Sequence, residues 1–299
     1  MKYKTSYLSA ASFLLAFGAV EHASAVVTYA EATANLAGEI PIMNTVTAGA
    51  EGAQTSADLV VSGILGDVFL TAQALSRPGA LLVAGVARST VPNTNAYAAT
   101  QAVWADSFPI TAGGFDSTRT GTFSAAVDIG GELRADITGL GIGGANVIGS
   151  FYIDAGEGNV GRVQDRADLT NSFELGEISS GNERFVLHFD DVPFRFGREI
   201  TVELRLQTAS HVRVFGGGSA YSEADYSHTM TWMGLSDVRD SSGNLLSDYS
   251  ALSVSSGFDF SPVPAPSAGA LMLAGLLGIG RMARRSTTVA PRSMYRTCS

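Results

Sequence analysis

The sequence predicts an all-β protein, and three observations agree on this. Gly, Ser, Thr, Ala and Val dominate residues 26–260, and short alternating apolar and polar runs recur between turn residues. No long segment in this range keeps a helical period. Because all-β domains often reach this size as single units, we expect one jelly-roll-like or other antiparallel β-sandwich over residues 26–260.

The first 25 residues are predicted to be a secretory signal peptide that forms an N-terminal helix. Lys2 and Lys4 precede an apolar core at Leu8–Val20, and residues 23–25 form an A-x-A ending. This order of charge, apolar core and small residues is what the Sec export machinery uses. We therefore predict cleavage before Val26 and an exported body, or ectodomain.

Several strands are predicted along the body. Residues 122–129 and 133–137 both alternate, and Gly130-Gly131 between them is a favoured hairpin turn because glycine accepts positive φ. Residues 26–55 favour irregular structure or edge strands. Further strands are predicted at 145–153, 183–189, 199–209 and 219–235, followed by a turn at 240–244 and a closing strand through Leu252, Val254 and Phe258.

The charge of the body limits its partners. Residues 26–262 hold 12 Arg, no Lys and 27 Asp or Glu, which gives a formal charge of −15. Such a surface repels nucleic acid and favours neutral glycans, cations or basic surfaces. The single cysteine, Cys298, lies outside the body, so the body has no disulfide and no Cys-based metal centre.

The C-terminal region has three parts in order. Val263-Pro264-Ala265-Pro266-Ser267 comes first, then an uncharged run rich in Gly and Leu, then Arg281, Arg284 and Arg285. The 18 residues of Val263–Gly280 approach the length of about 20 that a transmembrane helix needs. The arginines should stay on the cytoplasmic side. Residues 286–299 are predicted to be a disordered extension.

This tail resembles the PEP-CTERM sorting signal of exported bacterial proteins, and we assign residues 261–285 to it. The resemblance implies a Gram-negative source and processing beside the Pro motif by an exosortase-type membrane enzyme. Ala265 stands where the family most often has Glu, and 14 residues follow Arg285. The run Val238–Asn244 is also similar to a Val-x-Asp-x-x-Gly-Asn element near the tail of such ectodomains. An ordinary membrane anchor without processing remains an alternative.

No residue pattern predicts catalysis. The body lacks the G-x-S-x-G nucleophile elbow and the HExxH zinc motif. His188 and Asp190 share a strand face, and so do Glu223 and Asp225, but in each case a solvated strand face is the favoured interpretation. Neither His211 nor His228 belongs to a motif.

Calcium is the most plausible ion, and two segments were considered for it. Residues 154–159 with Asp165, and residues 237–244, are rich in Asp, Gly and Asn, but neither has EF-hand spacing. We favour turns in both places. The glycines of residues 141–144 and 216–218 are likewise predicted to be flexible turns, and no metal or cofactor is predicted.

Three functions of different classes follow. The favoured one is a non-catalytic exported protein, held transiently at the inner membrane and then sorted to the cell surface or extracellular polysaccharide matrix. The resemblance implies this biofilm-related role, with exopolysaccharide as a partner. The second is a carbohydrate-binding β-sandwich that stacks sugars on Trp104, Trp232, Tyr221 and Tyr226. The third is a secreted hydrolase whose catalytic residues come together only in the folded structure.

Overall fold

The described part of the chain is all-β, and every strand pairing within it is antiparallel, as the sequence predicts. The computed structural model describes residues 25–35, 42–48, 54–156, 160–172 and 177–261, with side chains for 54–156, 184–226 and 230–261. Apart from Ala25, which is the first residue of a strand, the predicted signal helix lies outside these residues, as do the predicted transmembrane helix and extension. Ten strands are described: β1 (Ala25–Asn35), β2 (Ile42–Ala48), β3 (Gln54–Gly63), β4 (Gly66–Arg77), β5 (Ala80–Ser89), β6 (Thr94–Pro109), β7 (Thr120–Asp154), β8 (Val160–Ser172), β9 (Glu177–Arg195) and β10 (Glu199–Asp240).

The two longest strands, β7 and β10, form a continuous central ribbon. Their pairing runs from Thr201↔Asp154 to Asp240↔Gly121, with four irregularities that place extra residues in β10. The ribbon bends where Gly139 and Gly218 are paired, and both glycines have positive φ. Because extra residues on one strand bend a ladder, the two halves of the ribbon belong to different layers.

Among the described strands, this ribbon alone runs through both layers. The first layer runs β8, residues 141–154 of β7, residues 199–214 of β10, β6, β1 and β2. The second runs β9, residues 120–138 of β7, residues 218–240 of β10, β5, β4 and β3. The layers face each other: the Ser76 hydroxyl donates to Val103 O at 2.8 Å, and the Ser210 hydroxyl to Gly85 O at 2.8 Å.

The space between the layers is filled differently at its two ends. One end holds an aromatic core, whose largest members include Trp104, Phe108, Phe151, Trp232 and Phe260. The other end holds an alanine core, built from Ala and Val residues around Leu70. Small side chains let the layers approach closely: a Cβ added at Gly85 would lie 3.5 Å from Ala98 O.

The glycine turns predicted within the ribbon are wrong. β7 continues through Gly130-Gly131, so there is no hairpin at that point. A Cβ on Gly131 would lie 2.5 Å from Asp225 O and from the Tyr226 ring, so glycine is needed here for close approach. Residues 141–144 and 216–218 also belong to β7 and β10, where the ribbon bends, and they are not loops.

The other predicted elements have mixed outcomes. The strands at 145–153, 183–189, 199–209 and 219–235 are confirmed, as is the turn at 240–244. The closing strand is wrong, because residues 250–260 make only isolated bridges and Val254 is 91% exposed. Among residues 26–55, β2 is an edge strand as expected, whereas β1 lies between β2 and β6.

The bend of the ribbon gives the first prediction. Gly218 has φ +144°, and a Cβ there would collide with the carbonyl oxygen of Thr138. Gly218→Ala should therefore lower the free energy of unfolding by about 3 kcal/mol. Urea denaturation followed by the fluorescence of the buried Trp104 and Trp232 measures this change.

Gly216→Ala is the matched control. Nothing lies within 4 Å of a Cβ at Gly216, so this change should alter stability by less than about 0.5 kcal/mol. Equal losses in the two variants would contradict the role given to Gly218.

Candidate functional site

The predicted sorting motif lies outside the described residues: Val263, Pro264, Ala265, Pro266, Arg281, Arg284 and Arg285. Within the part of the chain that the structure describes, no helix is long and apolar enough to cross a membrane. The described body ends at Ser261. Residues 246–261, which we call the closing segment, are therefore the last part of the chain whose contacts are defined.

Backbone hydrogen bonds tie the closing segment to the body at both its ends. Leu246 N donates to Val238 O at 2.8 Å, and Ser250 exchanges two bonds with Thr111, at 2.8 and 2.9 Å. Near the other end, the Phe260 carbonyl accepts from Leu235 N at 3.0 Å. It also accepts from the Trp232 indole at 3.3 Å. The segment is thus fastened to β10 although it forms no regular strand.

Two aromatic rings of the closing segment fill the aromatic core. Phe260 is fully buried and stacks on Phe108, with ring centroids 4.0 Å apart, and on Trp104 at 5.6 Å. Phe258 meets the Trp104 ring edge-on at 5.2 Å. Burying a Phe side chain contributes roughly 1.5–3 kcal/mol, so the core depends on this segment for a substantial part of its stability.

A buried carboxylate holds the middle of the closing segment. Asp106 is 2% exposed and lies in β6. Its oxygens accept from the hydroxyls of Ser253 at 2.9 Å, Ser255 at 2.8 Å and Ser256, and from Ser107 N at 2.8 Å. An unpaired buried charge is costly, so Asp106 and the serines depend on each other. We call these residues the Asp106 cluster.

The sequence carried a signal for this cluster that was missed. In β6 the even-numbered residues face inward, so Asp106 falls on the same face as Trp104 and Phe108. A carboxylate between two inward aromatic residues must find donors from elsewhere in the chain. The serines that supply them are about 150 residues away, and only the structure identifies them.

Most of the aromatic residues proposed for sugar stacking are core residues. Trp104 and Tyr226 are fully buried, and Trp232 is 2% exposed, so none of them offers a ring face to a ligand. Alternation along the strands explains this result, because all three lie on inward faces. Tyr221 alone of the four lies on the outer face of the second layer, where it is half-buried.

The surroundings of Tyr221 form a small polar cluster. Its hydroxyl donates to Glu223 Oε2 at 2.6 Å, and the Arg134 guanidinium lies 5.6 Å from the centre of its ring. Burial raises the pKa of Tyr221 above its usual range, and the hydrogen bond to Glu223 raises it further. Glu223 is paired across the ladder with Arg134, whereas Asp225, on the same face as predicted, lies opposite Glu132.

His188 and His211 do not belong to a common site, and the side chain of His228 lies outside the description. His188 Nε2 lies 3.6 Å from Asp190 Oδ2, as the shared strand face predicts, but both side chains are more than 60% exposed. Burial lowers the pKa of His211, which favours its neutral form. Over the described residues, no group of three or more His, Cys, Asp or Glu is placed to hold a metal ion.

The two segments considered for calcium contain turns. Asp154 accepts a hydrogen bond from Gly156 N at 2.8 Å, while residues 157–159 and the side chain of Asp165 lie outside the description. Asp240 accepts from Asn244 Nδ2 at 3.0 Å, from Asn244 N at 2.9 Å and from Ser242 N at 2.8 Å, and these bonds, the side-chain one foremost, lower its pKa. The carboxylate oxygens of Asp240 therefore stabilise the turn itself.

Comparisons with known proteins do not assign the chain to a family. No protein family and no curated protein matches it. Among solved structures, a mutant VP2 protein of infectious bursal disease virus aligns with 87% of this chain and 70% of its own, at 12% identity and a TM-score of 0.15. The structure of the Gx strain of that virus aligns with 88% and 76%, at 10% identity and 0.16. Such TM-scores indicate neither a shared fold nor a shared function.

The Asp106 cluster gives the second prediction. Asp106→Ala removes the acceptor for three hydroxyls and should lower the free energy of unfolding by about 3 kcal/mol. Amide hydrogen exchange should accelerate most at residues 250–260, because these lose their attachment to β6. Mass spectrometry of exchanged peptides measures this local effect.

Asp248→Ala is the control, since Asp248 is exposed in the same segment. It should change neither stability nor exchange at residues 250–260. If Asp106→Ala accelerated amide hydrogen exchange evenly over the whole body, the Asp106 cluster would not be what attaches the closing segment to β6.

Proposed function

We propose that this chain is a non-catalytic exported protein, sorted by its PEP-CTERM-like tail to the cell surface or extracellular polysaccharide matrix. Its body is a jelly-roll-like or other antiparallel β-sandwich ectodomain. One observation carries the proposal: a Pro motif, an apolar run and an Arg cluster follow the body in that order, at the end opposite a signal peptide. The antiparallel all-β body supports it.

The position of the last anchored residue supports processing at the Pro motif. Phe260 packs in the aromatic core, and Val263 is only three residues further along the chain. A cut between Val263 and Ser267 would leave every described residue of the closing segment, including Phe258 and Phe260, on the ectodomain. The released ectodomain would therefore keep all the core contacts that the structure describes.

The sequence of events follows from the two ends of the chain. The Sec machinery exports the body, and the apolar run anchors it transiently in the inner membrane while the Arg cluster stays in the cytoplasm. An exosortase-type enzyme then processes the tail. The formal charge of −15 keeps the product soluble and directs it towards neutral exopolysaccharide or cations, with no nucleic acid partner.

Processing of the tail is the third prediction. Full-length protein should lose its C-terminal segment by a cut between Val263 and Ser267 in a host that has an exosortase. In a host without the enzyme the tail should stay intact. Mass spectrometry of the mature C-terminus decides between these results, and Ala265→Glu, which restores the family's usual residue, should be cut at least as completely.

Two outcomes would contradict the proposal. An intact tail in both hosts, for the natural chain and for Ala265→Glu, would leave an ordinary membrane anchor. Deletion of the gene without any change in floc, biofilm or matrix properties would exclude the matrix role even if the tail were cut.

A second candidate function, carbohydrate binding, is favoured by the Tyr221 cluster. Tyr221 is half-buried on the outer face of the second layer, beside the charged hydrogen-bonding groups of Arg134 and Glu223. A ring for stacking with polar groups at its rim is the arrangement that sugar binding uses. Neutral matrix glycans are the expected ligands.

The fourth prediction tests this candidate. If the Tyr221 cluster binds glycans, Tyr221→Ala should weaken binding on a glycan array by roughly tenfold or more, because the stacking ring is lost. Tyr221→Phe keeps the ring and should bind within about threefold of the natural chain. The candidate would be contradicted if the folded protein bound no glycan on the array, or if the two variants lost glycan binding equally.

A further inference from the structure

The closing segment doubles back on itself before the chain leaves the body. Leu252 forms an isolated antiparallel bridge with Asp259, and Phe260 N donates to Ala251 O at 2.8 Å. Ser261, the last described residue, is two residues along from this bridge. It therefore lies within about 10 Å of Leu252, and the point at which the tail leaves the body is fixed beside that side chain.

Two apolar side chains point outward from the closing segment. Ala251 and Ser253 are buried, whereas Leu252 and Val254 are 49% and 91% exposed. Val254 lines a small surface depression together with Pro109, the last residue of β6. We call Leu252 and Val254 the exit patch, and it lies where the strands of the first layer end.

The N-terminal end of the body lies near the same place. Ala25, the first residue of β1, pairs with Ala105 of β6. The next residue of β6 is Asp106, whose carboxylate holds the closing segment. Because the predicted signal peptide ends at Ala25, both predicted membrane segments join the body at the end that carries the exit patch.

The predicted membrane anchor begins two residues after Ser261. An extended chain spans at most about 3.6 Å per residue, so Val263 lies within about 7 Å of Ser261. The 18 residues of Val263–Gly280 give a helix of about 27 Å, slightly shorter than the hydrocarbon core of about 30 Å. A span this short has no slack, so its first residues must lie at the hydrocarbon boundary.

We propose that the exit patch inserts into the outer leaflet of the bilayer that holds the chain's own apolar run. This inference rests on the proposed function, in which that run is a transient membrane anchor. Apolar side chains held at a membrane surface gain free energy by leaving water. The short tether keeps the patch at a high effective concentration beside the lipid, and the contact sets the height of the Pro motif above the membrane for the processing enzyme.

Charge opposes this contact unless the anchor enforces it. The formal charge of −15 on the body repels anionic head groups. Charges near the exit patch are mixed, because exposed Asp259 lies opposite Leu252 and exposed Arg198 precedes Glu199. Two apolar side chains are a small anchor by themselves, so processing of the tail should release the body from the membrane.

The tip of the β3–β4 hairpin provides a reference point on the same molecule. Ile64 and Leu65 at this tip are 106% and 73% exposed. β4 runs from the tip for 12 residues, about 35 Å, towards Gly79, where Phe258 of the closing segment packs. The hairpin tip is therefore apolar and accessible, but it lies at the end of the body away from the exit patch.

The fifth prediction uses the exported chain with its tail intact, reconstituted in phosphatidylcholine vesicles. Cys298→Ser removes the natural thiol, and Val254→Cys or Ile64→Cys then carries a single fluorophore. Lipids with a nitroxide near the top of the acyl chain quench fluorophores at the headgroup boundary. Quenching should be at least about twofold greater at residue 254 than at residue 64, because interfacial apolar groups reach only about 5–10 Å into the membrane.

A matched pair of variants tests the apolar character of the contact. In the chain labelled at residue 254, Leu252→Asp replaces one of the two apolar side chains by a charge and should lower quenching by about half or more. Leu140→Asp is the control, since Leu140 is 58% exposed where the ribbon bends and the change in charge is the same. It should leave quenching unchanged, and matching urea midpoints show that the fold is intact.

Flotation of the vesicles separates failure of this proposal from failure of the anchor. A chain that does not float with the vesicles would contradict both the membrane step of the proposed function and the contact proposed here. A chain that floats, but is quenched no more at residue 254 than at residue 64, would overturn the contact alone and leave the processing enzyme as the partner of the exit patch. Equal loss of quenching in Leu252→Asp and Leu140→Asp would also overturn it, because net charge alone would then control the approach to lipid.

Discussion

The pairing of β7 with β10 is the constraint on which the rest of the structure depends. Each half of this ribbon has a further strand on both sides: β8 and β6 in the first layer, and β9 and β5 in the second. The bend at Gly139 and Gly218 sets the two halves in different layers, and so determines which faces meet. Because the pairings are far apart in sequence, the fold relies on contacts that form late and slowly.

The two ends of the interlayer space are stabilised by different means. At the alanine core, small side chains and hydroxyl-to-carbonyl bonds such as Ser210 to Gly85 hold the layers close together. At the aromatic core, the strands leave room that Phe258 and Phe260 fill, and the Asp106 cluster fixes the segment that carries them. A body without disulfides thus uses a buried charge with several donors to fix its last segment.

The all-β class and most strand positions could be predicted because alternation in the sequence directly records which side chains are buried. The continuation of β7 through its glycines could not be predicted, because glycine serves two purposes. It allows positive φ in hairpins, but at Gly131 it makes room for the Tyr226 ring, and that ring is 95 residues away in sequence. The Asp106 cluster was hidden for the same reason, since Ser253 is distant in sequence. Trp104, Tyr226 and Trp232 were expected to stack sugars, but alternation along their strands places all three on inward faces.

The attachment of Phe260 has a mechanical consequence. A pull applied at Ser261 acts first on Phe260, whose carbonyl is bonded to Leu235 of β10 and whose ring is held among Trp104 and Phe108. Force therefore enters the sheet at its central strand, and the outer strands are not the first to be peeled away. If the protein were held by its C-terminus, an external force would pass to β10, a strand that is paired on both sides.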